Sequence, residues 1–300
     1  MYTNIDLNDL KSRLHSLFQE VFEKNNRFLL VDKDGSKSRW SRTKKADSSS
    51  MKCFDLSKLT TWLEFLIDNI YLKFGSDVVV RQRIGIPMGT NCAVFLANYY
   101  LFYFELAFIR KLVTTKKFAL LTSFALSKRY IDDLLSINNP HFERFALKPN
   151  DVVVEDNITG IYPRSLTLNL EQSSTSSVHF LDVLIYRHNY TWYTKIFDKR
   201  EVPPLNRVSD GKYPCMDSFL SDNSKYSVLT SQLHRYSRIC IRRKDFIFRA
   251  RKIICYLMAK GYKRHILFAR ALSFMRKFHF RYDVRNVKNF VGRLFSSVKQ

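Results

Sequence analysis

The chain is poor in the residues that break or staple a fold. It has 8 Gly and 7 Pro in 300 residues, too few for a low-complexity or collagen-like chain. Its cysteines, Cys53, Cys92, Cys215, Cys240 and Cys255, are odd in number and show no CxxC or Cys/His ligand spacing. That argues against a disulfide framework and a zinc site, and for reduced thiols in an intracellular setting, the nucleus included. The N-terminus lacks the charged, apolar and small-residue succession of a secretory signal, so secretion is not expected. No clean membrane-length apolar run occurs. The nearest, residues 92–109, carries Asn98, Glu105 and seven aromatics. It reads as a helix hydrophobic on most sides and buried in a large core.

Acid is the other scarcity. Against 50 Lys and Arg stand 27 Asp and Glu, a net charge of +23 with a pI near 9.9. Such an imbalance calls for a polyanionic partner, nucleic acid before membrane. The excess is concentrated: residues 231–300 hold 19 Lys or Arg against only Asp245 and Asp283, which is +17 of the +23. With 46% hydrophobic and 15% aromatic residues, the chain can bury a sizeable core, in one large domain or two modest ones.

Periodicity gives the elements. Leu7, Leu10, Leu14, Leu17, Phe18 and Val21 recur at helical spacing and predict an amphipathic helix over 6–24. Asp34-Gly35 between two strand-like runs predicts a hairpin, and Leu56 to Phe74 reads as a second helix ended by Gly75. Val78 to Arg83 is expected as a strand, Asn91 to Lys111 as the long buried helix, and Phe118 to Arg129 as a strand leading into Tyr130. Leu134 to Ile137 would return beside it. Ser165 to Leu170 and His179 to Tyr193 alternate as half-buried strands. The stretch from Asp198 to Asn223, with Pro203, Pro204, Gly211 and Pro214, is the best domain boundary. Helices follow on either side of Gly261.

The chemistry concentrates at Asp132-Asp133, flanked by Ile131, Leu134 and Leu135. Phosphoryl transfer from a nucleoside triphosphate needs divalent ions about 3.5–4 Å apart over the attacking and leaving oxygens, and carboxylates suit Mg²⁺. A tight turn between two short strands lets adjacent carboxylates reach one metal site. The plain alternative is a solvated turn. About forty residues upstream, Gly85-Ile86-Pro87-Met88-Gly89 combines glycines, which permit close backbone approach to a ligand, with a proline that fixes the turn. An ordinary strand-to-helix turn is its alternative.

The order Tyr2-Thr3-Asn4-Ile5, Gly85 to Gly89, Arg129 to Asp133 and Phe180-Leu181-Asp182-Val183 resembles the palm of reverse transcriptases, most closely those of Penelope-like elements. The segment Ser231 to Tyr236 is similar to the thumb that follows in that family. The resemblance implies an α+β fold: a right-hand polymerase palm, an antiparallel sheet with packed helices, over residues 1–200 with a partial fingers insertion at about 6–75, then a basic helical thumb over 201–300. It implies an RNA-directed DNA polymerase working on RNA template, DNA primer and dNTPs with two Mg²⁺ or Mn²⁺ ions, and no membrane partner. Asp132 and Asp133 would be the catalytic metal ligands. Tyr2, Gly85, Pro87, Met88, Gly89 and Tyr130 would bear on nucleotide and template, with Tyr2 excluding a ribose 2′-hydroxyl or, alternatively, packing in the core. Phe180, Leu181, Asp182 and Val183 would form a primer-gripping hairpin, Asp182 facing solvent. Arg242, Arg243, Lys244, Arg249, Arg251 and Lys252 would contact backbone phosphates, or form a solvated basic face.

Two departures from the family pattern matter. The Asp that opens the first palm block falls upstream of Met1, and Asp6 and Asp9 are placed to cap or complement the following helix rather than replace it. The segment Glu171 to Ser177 has no Lys to protonate the leaving pyrophosphate. Metal-dependent transfer remains, since electrostatic stabilisation carries more of the barrier. A catalytically inactive nucleic-acid-binding remnant and a membrane-associated basic protein are the competing readings.

The charge distribution makes a direct prediction. If about six phosphates are contacted, affinity for duplex should fall roughly 10³-fold between about 50 and 200 mM salt, with little sequence preference. Filter binding checks this, and deletion of residues 231–300 should remove most of the effect.

Overall fold

A computed structural model describes residues 4–25, 27–86, 90–171, 174–202 and 213–296. The fold is mixed α+β with small antiparallel sheets. The chain divides into two compact units, Met1–Leu170 and Glu171–Gln300.

In the first unit, α1 (Leu7–Lys24) begins where the Asp6 carboxylate accepts hydrogen bonds from the Asn8 and Asp9 amides at 2.9 and 2.8 Å. This satisfies donors that a helix start leaves orphaned. Its Leu7, Leu10, Leu14 and Leu17 face the core. β1 (Phe28–Asp32) pairs with β2 (Ser38–Ser41) across Asp34-Gly35, as expected, and also with β3 (Met51–Phe54). The Asp55 side chain caps α2 (Leu56–Asp68). That helix ends six residues before the expected Phe74. Tyr71–Phe74 is instead β4, paired with β5 (Val78–Arg81) around Gly75, whose φ of +65° suits glycine. The aromatic and β-branched residues there prefer an extended ladder to helix continuation.

The centre of this unit is α3 (Ala93–Thr114), which buries Leu96, Ala97, Tyr100, Leu101, Phe104, Phe108 and Leu112. The expectation of burial on most sides fails on the opposite stripe, where Phe95 and Phe102 are exposed. No helix among the described residues is long and apolar enough to cross a membrane. The expected strand over 118–129 is divided: α4 (Phe118–Ser123) comes first, then β6 (Ser127–Tyr130), which pairs with β7 (Asp133–Ser136). After α5 (Phe142–Ala146), β8 (Val153–Glu155) and β9 (Ile158–Thr159) form a short ladder. Ser165 to Leu170 forms no strand. Leu166 and Leu168 still turn toward the core, so the alternation reported burial without a hydrogen-bonded neighbour.

The second unit opens with a three-stranded sheet, β10 (Ser177–Phe180), β11 (Val183–His188) and β12 (Thr191–Ile196), and continues with α6 (Asp222–Ile239), α7 (Arg243–Ala259), α8 (Arg264–Phe278) and α9 (Val287–Phe295). The division falls about thirty residues before the boundary read from the prolines. The reason is that β12 is built into the helical core. Ile196 is buried among Leu233, Phe246 and Ala250, the Ile241 amide donates to the Thr194 carbonyl at 3.1 Å, and Arg249 donates to the Ile196 carbonyl at 2.9 Å. Gly261, with φ of +86°, separates α7 from α8 as expected.

Two glycines test the backbone packing. A Cβ on Gly160 would lie 1.8 Å from the Lys148 carbonyl oxygen, a backbone atom that cannot swing aside, whereas one on Gly292 in α9 meets nothing within 4 Å. Gly160→Ala should destabilise by about 2 kcal/mol or more, and Gly292→Ala should stabilise by roughly 0.5–1 kcal/mol. Urea unfolding midpoints of the two variants check this.

Candidate functional site

Strands β6 and β7 are joined by only Ile131 and Asp132. Ile131 has φ of +56°, and of the two turn residues it alone is positive. This is the pattern of a type II′ turn, in which glycine is favoured at the first position. A β-branched side chain there crowds the following carbonyl, at a cost of roughly 1–2 kcal/mol. Alternation along the hairpin turns Arg129 and Leu134 toward α3 and Tyr130 and Asp133 outward. Asp132 at the tip and Asp133 beside it are both exposed, and among the described residues no hydrogen bond or ion pair engages either carboxylate.

Beneath the turn, Arg129 is nearly buried, its side chain 13% exposed. Its guanidinium grips Glu105 of α3 with two nitrogens, at 2.5 and 3.1 Å, and donates to the Asn98 side-chain oxygen at 2.6 Å and the Asn98 carbonyl at 3.3 Å. One nitrogen also donates to the Ile131 carbonyl at 3.3 Å. The Tyr162 hydroxyl donates to Glu105 at 2.9 Å, and burial followed by the Glu105 charge pushes that phenol's pKa well up. Arg129 is therefore a junction between helix and turn. An open pocket of about 170 Å³ lies between α3 and the hairpin, with Phe108, Phe124, Leu134 and Phe142 among its lining residues.

This junction is absent from the expected site residues. Its signal was in view: Asn98 and Glu105 are seven apart, two turns of one helix face, inside an otherwise apolar run.

Gly85 has φ of +80°, and its amide donates to the carbonyl of fully buried Ile5 at 2.8 Å. The first and second sequence blocks thus meet. Tyr2, Pro87, Met88 and Gly89 lie outside the described residues. Asp6 is engaged as a helix cap. Asp9 accepts from Arg13 at 2.9 Å and from the Tyr100 hydroxyl at 2.6 Å, as befits a helix-face residue. Among the described residues no group of three His, Cys, Asp or Glu converges on a metal position. The donors that fit a hard divalent ion here are the Asp132 and Asp133 carboxylates. A pair suffices for Mg²⁺ when water and phosphate oxygens complete the shell.

Comparison with protein-family models, curated proteins and solved structures returned no match.

In the second unit, Phe180 to Val183 forms a second hairpin of the same kind, with Leu181 at φ of +55° and Asp182 after it. Asp182 sits in the turn rather than within a strand; its side chain is 41% exposed and accepts from Arg235 of α6 at 2.7 Å. Tyr186 lies opposite Tyr193. Its hydroxyl donates to Asp245 at 2.5 Å and its pKa is pushed up to about 12, first by burial and then by that carboxylate.

The six cations expected on phosphates separate. Arg249 is buried and paired with Glu201, with a second bond at 3.0 Å and the Ile196 carbonyl as a further acceptor. It is a core residue. Lys252 donates to the same Glu201 at 2.7 Å, and Arg251 to the Arg293 carbonyl at 2.9 Å. Arg242 stacks over Tyr193 and Arg243 over Phe290, while Lys244 is exposed. The helical spacing did carry a signal for Arg249, which falls three residues after Phe246 and four before Ile253 on the buried face of α7.

Arg249→Met should therefore cost about 1–3 kcal/mol of stability by removing the buried donor to the Ile196 carbonyl and one of the two cations on Glu201, and leave the salt slope of nucleic-acid binding unchanged at temperatures where the variant is folded. Arg243→Ala and Lys244→Ala should each reduce that slope by about 1 with little loss of stability. Thermal denaturation and salt titrations read the two effects separately.

Proposed function

We propose that the chain carries the palm and thumb of an RNA-directed DNA polymerase related to the reverse transcriptases of Penelope-like elements. The observation that supports this most directly is the Ile131-Asp132 turn. It holds two exposed carboxylates that no hydrogen bond or ion pair engages among the described residues, in a chain with nearly two cations for each acid, where acids such as Asp9, Glu105, Asp182 and Glu201 are taken up by Arg. A carboxylate pair left free in such surroundings is available to a cation from solution.

In this reading Asp132 and Asp133 bind the divalent ions through their oxygens, and the backbone around Gly85 bears on the nascent base pair. Mg²⁺ or Mn²⁺, when bound, supplies charge stabilisation for the attacking 3′-oxygen and the leaving pyrophosphate. Tyr130, beside Asp133 on the outer face, contacts nucleotide or template. The Phe180–Val183 hairpin holds the primer end. Exposed cations of the helical unit, Arg243 and Lys244 among them, contact phosphates without reading sequence. No Lys in Glu171 to Ser177 serves as general acid, so the barrier is lowered by positioning and electrostatics.

Primer extension on an RNA template with dNTPs and Mg²⁺ or Mn²⁺ tests the proposal. Incorporation is expected to be stronger when a segment bearing the family's first-block Asp is joined ahead of Met1 than in the 300-residue chain alone. In both forms Asp132→Asn should abolish it and Asp133→Asn should weaken it less. Incorporation indifferent to Asp132→Asn overturns the reading. Salt-dependent duplex binding without any extension in either form supports the inactive remnant instead.

A further inference from the structure

We infer that Arg129 is a positioning residue that holds the Ile131-Asp132 turn in the conformation presenting Asp132 to a divalent ion. The inference rests on the reading of that turn as a metal site. Three observations lead to it. Ile131 occupies a left-handed conformation that its branched side chain disfavours, so the turn needs support from outside itself. Arg129 donates to the carbonyl of that very residue. The guanidinium is fixed by Glu105 and Asn98 on α3, and Glu105 in turn by Tyr162. Support thus runs from the rigid helix to the peptide linking Ile131 to Asp132.

The second hairpin supplies a contrast. Leu181 has nearly the same positive φ, but there the carboxylate itself is tied, Asp182 to Arg235. In the first hairpin the arginine takes the backbone and leaves both carboxylates free. The two turns share a shape and differ in what their arginine holds. A metal site needs the arrangement of the first hairpin, since its ligands must be fixed without being neutralised.

Arg129→Lys keeps the charge opposite Glu105, so the fold is preserved, but an ammonium cannot span Glu105, Asn98 and the Ile131 carbonyl together. Ile131→Gly removes the conformational strain that the clamp opposes. Two readouts separate the possibilities. Amide hydrogen exchange over residues 127–136 reports the turn, and Mn²⁺ binding followed by electron paramagnetic resonance, with Asp132→Asn defining the site-specific part, reports the metal. The expected result is faster exchange and a roughly tenfold weaker Asp132-dependent Mn²⁺ affinity in Arg129→Lys, both largely restored in Arg129→Lys/Ile131→Gly. Unchanged exchange in Arg129→Lys, or failure of Ile131→Gly to restore either quantity, overturns the positioning role. Should the wild-type chain show no Asp132-dependent Mn²⁺ binding while the exchange pattern holds, the clamp on the turn stands and the metal reading on which its purpose rests is overturned.

Discussion

The pairing of Arg129 with Glu105 joins an apolar helix to the hairpin that carries the exposed carboxylates of Asp132 and Asp133, and ties the two elements together. Glu105 sits on a helix whose buried face is otherwise Leu, Ala, Tyr and Phe. An ionised carboxylate in that setting needs a partner, and losing one member of such a pair costs about 3–5 kcal/mol. Arg129 meets the need with two nitrogens and still has donors left for Asn98 and Ile131. That surplus follows from the planar, five-donor guanidinium, and a lysine could not reproduce it. The strain at Ile131 is stored against this anchor, and among the described residues no hydrogen bond or ion pair engages the two carboxylates at the tip.

The second unit depends on a comparable device. Arg249 on α7 reaches the Ile196 carbonyl and Glu201, so the end of β12 is fixed to the helices by a buried cation. Glu201 also takes Lys252. Burial alone would raise the Glu201 pKa, but hydrogen bonds from Arg249 and Lys252 outweigh it and hold the carboxyl below its ordinary value. A depressed carboxylate stabilises the folded state above its unfolded pKa and loses that contribution on acidification. The connection is therefore complete at neutral pH and weakens in acid.

Several elements were legible because local physics and burial agreed. The helix over 7–24 had periodic leucines and an aspartate cap, and the hairpin at Asp34-Gly35 had turn chemistry between strand formers. Gly261 marked the helix break. The errors fell where local signals conflicted with partners distant in sequence. The apolar residues from Leu56 to Phe74 could continue a helix, but Val78 to Arg81 supplied a ladder for the last four. Ser165 to Leu170 alternated correctly for burial and found no strand to pair with. Prolines suggested a division near residue 200, yet contacts from Ile196 and Thr194 to the helices place the division at Leu170, because side-chain packing rather than chain flexibility defines a compact unit.

For the candidate site the same line holds. Sequence determined that two adjacent carboxylates would sit in a short apolar hairpin, that a glycine turn would lie upstream, and that cations would crowd the last seventy residues, since composition, spacing and turn propensity are local properties. Tertiary structure decided which charges remain available. It consumed Asp9, Glu105, Asp182, Glu201, Arg129 and Arg249 in internal pairs and left Asp132, Asp133 and Lys244 facing solvent. Pairing depends on which side chains folding brings within about 4 Å of one another, and residues 24 to 53 positions apart along the chain, as in these three pairs with arginine, carry no mark of that proximity in their spacing.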